Sequence, residues 1–328
     1  MAKPRPTPRI VEVFPRDGLQ TLIHAPAGQI TTADKIAIIA ALAASGILEI
    51  EITGFVHPRV IASLADAEEV ARGVAAAEGV TFRALAPNLR GAERAIAAGV
   101  KKVSCLIVAS ETYQQRNANM TIRQNVAEVG RMIALCRSAG VSVHVGIGCS
   151  FICPYEGVTP TRNLTALIGE FVDQGVDDIT IADSIGMAHP AMIVDRAEAI
   201  FASWPDLLLA LHLHDASGMG LANIWAGWQA GVSTFETSVG GFGGGIAMPS
   251  SVAHMPNIAT EDVINLFQAM DLMGEIDLDA VLAVARRVEA QMGRHGGSHL
   301  LRGGTLAGML ASGRAIVEGT AEDRNGKA

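Results

Sequence analysis

The sequence is poor in cysteine, in aromatic residues and in long apolar runs. Only four of its 328 residues are cysteines, and 4% are aromatic. Four cysteines are few for a disulfide framework in a chain of this length, so we expect a reducing, cytoplasmic environment. The longest apolar run covers the nine residues 36–44, whereas a membrane-spanning helix needs roughly 20. The sequence therefore predicts no membrane partner.

Basic residues are outnumbered by acidic ones. The chain has 25 Lys and Arg residues against 33 Asp and Glu residues, which gives a formal net charge of −8. A nucleic-acid-binding protein usually shows a basic excess, so we expect no nucleic-acid partner. With 49% hydrophobic residues and 35 glycines, the chain can bury a full core without disulfides or structural metals. We expect residues 1–8 to be flexible and residues 321–328 to form a loose tail.

One pattern recurs along the chain: an alanine-rich helical stretch, then a glycine, then a Val or Ile that opens a short apolar run. A left-handed glycine ends a helix readily, and a short β-branched run is typical of a buried strand. The glycines of the repeat are Gly46, Gly79, Gly99, Gly140, Gly175 and Gly231. The predicted strands lie near 9–14, 47–53, 80–86, 101–108, 141–149, 176–182, 207–213 and 232–238. The predicted helices between them are Thr32–Ala44, Ile61–Ala77, Arg90–Ala98, Ile122–Ala139, Asn163–Gln174, Ala191–Ala202 and Leu221–Ala230.

Eight strands that alternate with helices predict a parallel sheet with helical crossovers. Closure into a (β/α)8 TIM barrel is favoured over an open doubly wound sheet, because no phosphate-binding G-x-G-x-x-G motif follows the first strand. We assign the catalytic barrel to residues 9–275 and predict further helices near 259–271, 277–293 and 305–318. Residues 276–320 are expected to form a C-terminal helical extension that packs on the barrel.

Polar side chains gather at the carboxyl ends of the predicted strands, where a barrel of this class carries its active site. The residues concerned are Arg16, Asp17, Glu51, Asp183, His212 and His214. An ionised carboxylate that faces a barrel interior is costly unless it is paired or bound to a metal. These positions are therefore candidates for catalysis or for metal binding.

The sharpest local pattern is the pair His212-x-His214. Side chains two apart on a strand point the same way, so both imidazoles face one site. With Asp17 from another strand end, they supply two nitrogens and one carboxylate for a divalent cation. This mixed set suits Mg²⁺, Mn²⁺, Co²⁺ or Zn²⁺ without choosing among them. The alternative is a pair of hydrogen-bonded histidines with no metal.

Two other features face the same end of the barrel. Arg16 could place a cation beside a substrate carbonyl on which negative charge develops. It could equally form a structural salt bridge with Glu51 or Asp183, and the two roles are compatible. The glycine run at 240–245 is typical of a mobile lid. It could also cradle a phosphate, but it lacks the Lys-Ser/Thr of a P-loop.

Several motifs, taken in chain order, resemble those of the 3-hydroxy-3-methylglutaryl-CoA lyases, which belong to a wider group of metal-dependent barrel lyases and acyl-CoA synthases. The resemblance covers roughly residues 9–275. The motifs are V-E-V-F-P-R-D-G-L-Q at 11–20, E-I-T-G-F-V at 51–56, A-P-N-L-R-G at 86–91, A-S-E at 109–111, C-P-Y-E-G at 153–157, A-D-S-I-G at 182–186, H-L-H-D at 212–215 and N-I-A-T-E-D at 257–262.

The resemblance implies metal-dependent cleavage of a 3-hydroxyacyl-CoA, by retro-Claisen or retro-aldol chemistry, to acetyl-CoA and a keto product. It implies a divalent cation, Mg²⁺ or Mn²⁺ foremost, and a homo-oligomer that is a dimer or a tetramer. It implies that Arg16 stabilises the enolate, and that Glu51, Asp183 and Glu261 orient or shuttle protons. The implied metal ligands are Asp17, His212, His214 and Asn257.

One departure concerns the glycine loop. The lyases carry a proton-transferring cysteine there, and Gly245 occupies that place after Gly243 and Gly244. A substitute proton donor is expected among His254, Ser250, Ser251 and water; otherwise the substrate differs. The alternatives are a lyase or aldolase on another 3-hydroxy acid or thioester, a condensing acyl-CoA synthase, and a metal-binding relative without catalysis.

Overall fold

Eight parallel strands close into a barrel in the computed structural model, which describes residues 5–22, 30–245 and 255–322. Each strand pairs with its neighbours in sequence, and the first strand pairs with the eighth, Arg9 lying opposite Thr234. The strands are β1 (Arg9–Glu12), β2 (Glu49–Gly54), β3 (Thr81–Ala86), β4 (Lys102–Val108), β5 (Ser142–Gly148), β6 (Asp178–Asp183), β7 (Leu208–Leu213) and β8 (Thr234–Thr237). The predicted (β/α)8 barrel is confirmed.

Helices connect the strands and extend beyond the eighth. They are α1 (Thr32–Ala44), α2 (Ala67–Val74), α3 (Leu89–Ala97), α4 (Glu111–Ala118), α5 (Ile122–Ser138), α6 (Thr161–Val172), α7 (Pro190–Ser203), α8 (Gly220–Gln229), α9 (Thr260–Gln268), α10 (Leu278–Met292), α11 (His299–Gly303) and α12 (Leu306–Val317). All six repeat glycines adopt positive φ angles, from +67° to +100°. Five of them follow a helix end within three residues, as the pattern predicted, because glycine enters this region without a steric penalty. Gly79 instead lies five residues beyond the end of α2.

Three local elements differ from the predictions. The helix expected over 61–77 is a short 3₁₀ turn, Ala62–Leu64, followed by α2. The break coincides with Asp66, whose carboxylate accepts hydrogen bonds from Lys35. Helix α4 was not predicted because its polar sequence has no apolar period. A two-stranded antiparallel hairpin after β5 was not predicted either.

The C-terminal helices divide into two groups. Helices α9 and α10 bury apolar side chains, such as Val263 and Val281, in the core. Helix α12 buries none of its residues, so the predicted packing of the C-terminal segment on the barrel does not describe this last helix. Among the described residues, no helix combines the length and apolar character needed to cross a membrane.

Candidate metal centre and active site

The turn after β1 brings Arg16 and Asp17 over the mouth of the barrel. Residues Phe14–Gly18 form one turn of π-helix, in which the Asp17 amide donates to the Val13 carbonyl at 2.7 Å. Phe14 is fully buried and anchors the turn in the core. The carboxylate of Asp17 is itself buried, and its Oδ1 accepts from Nη1 of Arg16 at 2.5 Å. The turn therefore presents a fixed anion and a fixed cation side by side.

The two histidines at the end of β7 face each other. Both are buried, and their Nε2 atoms lie 3.2 Å apart. One ligand atom from each of Asp17, His212 and His214 can be chosen so that all three lie within 4.8 Å of one another. These three side chains thus form a possible metal-binding site.

Hydrogen bonds on the far side of each ring set the histidine tautomers. Nδ1 of His212 lies 3.0 Å from Oε2 of Glu236, and Nδ1 of His214 lies 3.1 Å from the Met255 carbonyl oxygen. Both partners are acceptors, so each Nδ1 carries a proton and each Nε2 is the nitrogen left to face a cation. Although burial opposes it, the hydrogen bond to Glu236 and the charge of Asp17 raise the pKa of His212. Burial and the neighbouring His212 lower the pKa of His214 to about 4. Two Nε2 atoms so close to a carboxylate suit a cation between them, which is a common arrangement of metal-binding histidines.

Asn257 completes the group. Its Nδ2 donates to Oδ2 of Asp17 at 2.6 Å and to the Phe242 carbonyl at 3.0 Å. Its Oδ1 is buried and accepts no hydrogen bond from any described residue. A buried carbonyl oxygen without a partner costs free energy unless something else binds it. An amide oxygen beside a carboxylate and two imidazoles matches the donor set of a divalent cation.

A cavity of about 210 Å³ opens below these groups into the barrel. Arg16, Asp17, His212 and His214 line one part of it, together with Gly245. Apolar side chains line the opposite part: Val56, Leu85, Leu106, Val108 and Tyr113. A molecule in this cavity would have its polar end at the histidines and its apolar part against β3 and β4.

A chain of alternating charges runs around the cavity wall. Nε of Arg16 pairs with Oε2 of Glu51, and Oε1 of Glu51 lies 3.4 Å from Nε of Arg83. Arg83 also pairs with Glu236, which in turn accepts from His212. Although burial opposes it, the carboxylates of Glu51 and Asp17 raise the pKa of Arg16. Arg16 is therefore a permanent cation held beside the histidine pair.

Comparison with known proteins places the chain in a family. The family model described as HMGL-like matches residues 7–288. The chain belongs to the HMGL-like family. It is a carbon–carbon lyase of the HMGL type, as the sequence motifs predicted.

Three relatives cover most of the chain. A hydroxymethylglutaryl-CoA lyase of Bacillus subtilis is 36% identical over 285 residues, which is 87% of this chain and 93% of the relative. A 3-hydroxy-3-isohexenylglutaryl-CoA/hydroxymethylglutaryl-CoA lyase of Pseudomonas aeruginosa is 35% identical over 290 residues, with coverages of 88% and 94%. The structure of an HMG-CoA lyase from Acinetobacter baumannii in complex with coenzyme A and 3-methylmalate is 31% identical, covers 92% of this chain and 96% of its own, and has a TM-score of 0.85.

Two of the predicted catalytic residues of this HMGL-like chain lie outside the cavity lining. Asp183 accepts from the Ala188 amide at 2.8 Å and holds the loop after β6. Glu261 is fully buried in the first turn of α9 and accepts from the Gly240 amide at 3.1 Å. Burial raises the pKa of Glu261 to about 7. The structure thus places both carboxyl groups against backbone that borders the site, whereas Arg16, Asp17 and Glu51 face the cavity.

Sequence reasoning missed Arg83 and Glu236. Both lie inside apolar strands, where a charged residue that faces the barrel interior is the signal that could have been used. Arg83 is 1% exposed and Glu236 is 4% exposed. Arg83 connects Glu51 to Glu236, and Glu236 contacts His212, so the pair couples Arg16 to the histidines.

The glycine loop packs directly on the candidate metal ligands. A Cβ added at Gly243 would lie 1.9 Å from Nδ2 of Asn257 and 2.6 Å from Oδ2 of Asp17, so only glycine fits there. The Gly244 carbonyl accepts from Nε2 of Gln20 at 3.1 Å. The predicted substitute donors His254, Ser250 and Ser251 lie outside the described residues.

Proposed function

We propose that this chain cleaves a 3-hydroxyacyl-CoA of the 3-hydroxy-3-methylglutaryl type to acetyl-CoA and a keto product, and that the reaction depends on a divalent cation, Mg²⁺ or Mn²⁺ foremost. The observation that carries the proposal is the convergence of His212, His214 and Asp17 beside the fixed cation of Arg16. The names of the relatives, which are lyases of CoA thioesters, support a CoA-linked substrate.

The residues that would hold the cation are Asp17, His212, His214 and Asn257. When bound, a divalent cation lowers the pKa of a hydroxyl group and polarises a carbonyl. Gln20 and Asn257 fix the carboxylate of Asp17 through hydrogen bonds. This support orients Asp17, which is also a candidate to accept the hydroxyl proton.

The bond that breaks joins C2 and C3 of the substrate. The C3 hydroxyl loses its proton, C3 becomes the carbonyl of the keto product, and the electron pair of the bond passes to C2 as the enolate of acetyl-CoA. Arg16 would stabilise the developing negative charge at the thioester oxygen, because it is buried, charged and held by Glu51 and Asp17. Glu51 acts here as a positioning residue for Arg16.

A proton must then reach C2. Gly245 lines the cavity at the position where the family resemblance implies a cysteine. Since glycine has no side chain to donate, we propose that His254, Ser250, Ser251 or water supplies the proton. We further propose that the glycine loop acts as a lid, that the enzyme is a homo-oligomer and that it works in the cytoplasm.

Chelation tests the proposal directly. The purified enzyme is incubated with 3-hydroxy-3-methylglutaryl-CoA and with related 3-hydroxyacyl-CoA thioesters, and acetyl-CoA and the keto product are measured by mass spectrometry. We expect turnover with Mg²⁺ or Mn²⁺ and none after exhaustive chelation, with recovery when metal is restored. Undiminished turnover after chelation would refute the metal dependence.

Metal stoichiometry tests the ligand assignment separately. His214→Ala should lower bound Mn²⁺ because it removes one ligand nitrogen. His295→Ala is the matched control, since this side chain is 90% exposed and pairs with Glu289 outside the cavity lining. An unchanged stoichiometry in His214→Ala would contradict the site.

A further inference from the structure

The barrel wall beside His212 is built from unusually small residues. Ala182 of β6 pairs with His212 of β7, and the neighbouring strand β5 turns Gly146 and Gly148 toward the cavity. Leu106 of β4 pairs with Gly146. We call the part of the cavity that is lined by Leu106, Gly146, Gly148 and Ala182 the recess; it adjoins the candidate metal centre through the pairing of Ala182 with His212.

The recess is open space. Inward-facing positions of a barrel of this class are normally filled by packed side chains. Leu106 faces the cavity and is 37% exposed, although the residues on both sides of it in β4 are buried. An apolar side chain that is exposed inside a barrel marks a volume that the protein itself does not fill.

The glycines of the recess are not required by the backbone. Neither Gly146 nor Gly148 has a positive φ angle. A Cβ added at Gly146 would lie 3.6 Å from Cδ1 of Leu106, and one at Gly148 would lie 3.4 Å from Cγ2 of Val108, which are ordinary contact distances. Alanine would therefore fit at both positions. The absence of a side chain at these two positions therefore enlarges the cavity.

The polar groups below the recess are already paired with one another. Nδ1 of His144 lies 3.2 Å from Oγ of Ser104, and its Nε2 lies 2.8 Å from Oγ1 of Thr180. Thr180 in turn donates to Glu236 at 2.7 Å. The occupant of the recess is thus offered apolar surface rather than free hydrogen-bonding groups.

We propose that the recess holds an aliphatic branch, longer than methyl, on C3 of the substrate. The inference rests on the proposed function, in which the C3 hydroxyl is held at the histidines. The other substituents of C3 then lie beside His212, where the recess begins at Ala182. An apolar branch that enters a preformed apolar recess gains contact with Leu106 and removes it from water.

Two thioesters that differ only in the C3 branch test the proposal: 3-hydroxy-3-methylglutaryl-CoA and its 3-isohexenyl counterpart. We expect wild-type kcat/KM to be at least about tenfold higher for the isohexenyl thioester, because each added methylene in a fitting pocket is worth about tenfold or more. Gly146→Val should lower the isohexenyl-to-methyl ratio at least about tenfold. Gly146→Ala should lower it less, and Leu106→Ala should not lower it.

A matched control is Gly313→Ala, because a Cβ at this exposed position of α12 meets open space. Its ratio should equal that of the wild type. Circular dichroism verifies folding, and if Gly146→Val does not fold, the Gly146→Ala variant carries the test. A wild-type preference for the methyl thioester would refute the proposal that the recess binds the C3 branch. An isohexenyl-to-methyl ratio that the Gly146 variants leave unchanged would refute it as well. Cleavage of neither thioester would refute the proposed lyase reaction itself, and with it this assignment.

Discussion

Glu236 offers the most direct test of how the barrel interior supports the histidine site. Its Oε2 accepts from Nδ1 of His212 at 3.0 Å, and its Oε1 pairs with Arg83 and accepts from Thr180. Burial opposes ionisation, but Arg83 and His212 outweigh it and hold the pKa of Glu236 well below its usual range. Glu236 therefore presents a full negative charge to the back of His212.

The substitution Glu236→Gln keeps the size of the side chain and removes this charge. A carboxylate behind a metal-binding histidine fixes its tautomer and raises its basicity, and losing such a partner typically weakens metal binding by about 10- to 100-fold. That range corresponds to about 1.4–2.7 kcal/mol. A hydrogen bond to a charged group exceeds a neutral one by about 1–1.5 kcal/mol, which favours the lower end of the range. We expect a loss of about tenfold in Mn²⁺ affinity.

Isothermal titration of the metal-free protein with Mn²⁺ measures this loss. The matched control is Glu68→Gln, since Glu68 pairs with Arg94 at a partly exposed position outside the cavity. An exposed pair contributes little, so its Mn²⁺ affinity should match that of the wild type. A folded Glu236→Gln protein whose Mn²⁺ affinity stays within about threefold of the wild type would refute the role given to Glu236.

Two further predictions concern Gly243 and Glu12. Gly243→Ala should abolish Mn²⁺ binding, because the added Cβ would collide with Asn257 at 1.9 Å; wild-type affinity in titration would contradict this packing. Burial raises the pKa of Glu12 from 4.5 to about 8, so its stabilising contribution is complete below pH 4.5 and is lost as the pH rises through 8, by up to about 1.4 kcal/mol per pH unit. Glu12→Gln mimics the protonated form, so its free energy of unfolding, measured in urea, should fall less steeply with pH than that of the wild type. Equal slopes for the two proteins would refute this role of Glu12.

The barrel and the histidine pair follow from local rules. Six glycines at positive φ angles separate helices from strands wherever the repeat predicted them, because this backbone region is open to glycine without steric cost. Helix α1 has the predicted bounds Thr32–Ala44. Residues two apart on a strand share a face, so the sequence alone could place His212 and His214 on one side of β7. Each of these inferences depends only on residues that lie close to one another in the sequence.

The same alternation could have placed Asp183 more accurately. Ala182 and Ser184 line the cavity, so the residue between them points away from it. The carboxylate of Asp183 instead accepts from the backbone of the loop that follows. The position of Glu261 could not be predicted in this way. Its partner Gly240 lies 21 positions away, and only the folded chain shows that the two are in contact.

The partners of Arg83 are equally non-local. Glu51 and Glu236 lie on different strands, and the link to Glu236 spans 153 positions. Alternation within β3 predicts that Arg83 faces the barrel interior, but it does not predict which anions surround it. The sequence could therefore predict that Arg83 needs acidic partners, but not which residues those partners are.

The balance of charge in the barrel connects this network to the metal site. Among the described residues around the cavity and the layer below it, three cationic side chains face five carboxylates. The cations are Arg16, Arg83 and Lys102, and the carboxylates are Asp17, Glu49, Glu51, Asp178 and Glu236. Leaving the two histidines out of the count, the excess of two negative charges is the charge that one divalent cation would balance. Buried ion pairs stabilise a fold less than well-packed apolar side chains do. The charged residues that hold Arg16 and the histidines in place therefore stabilise the barrel less than apolar side chains at the same positions would.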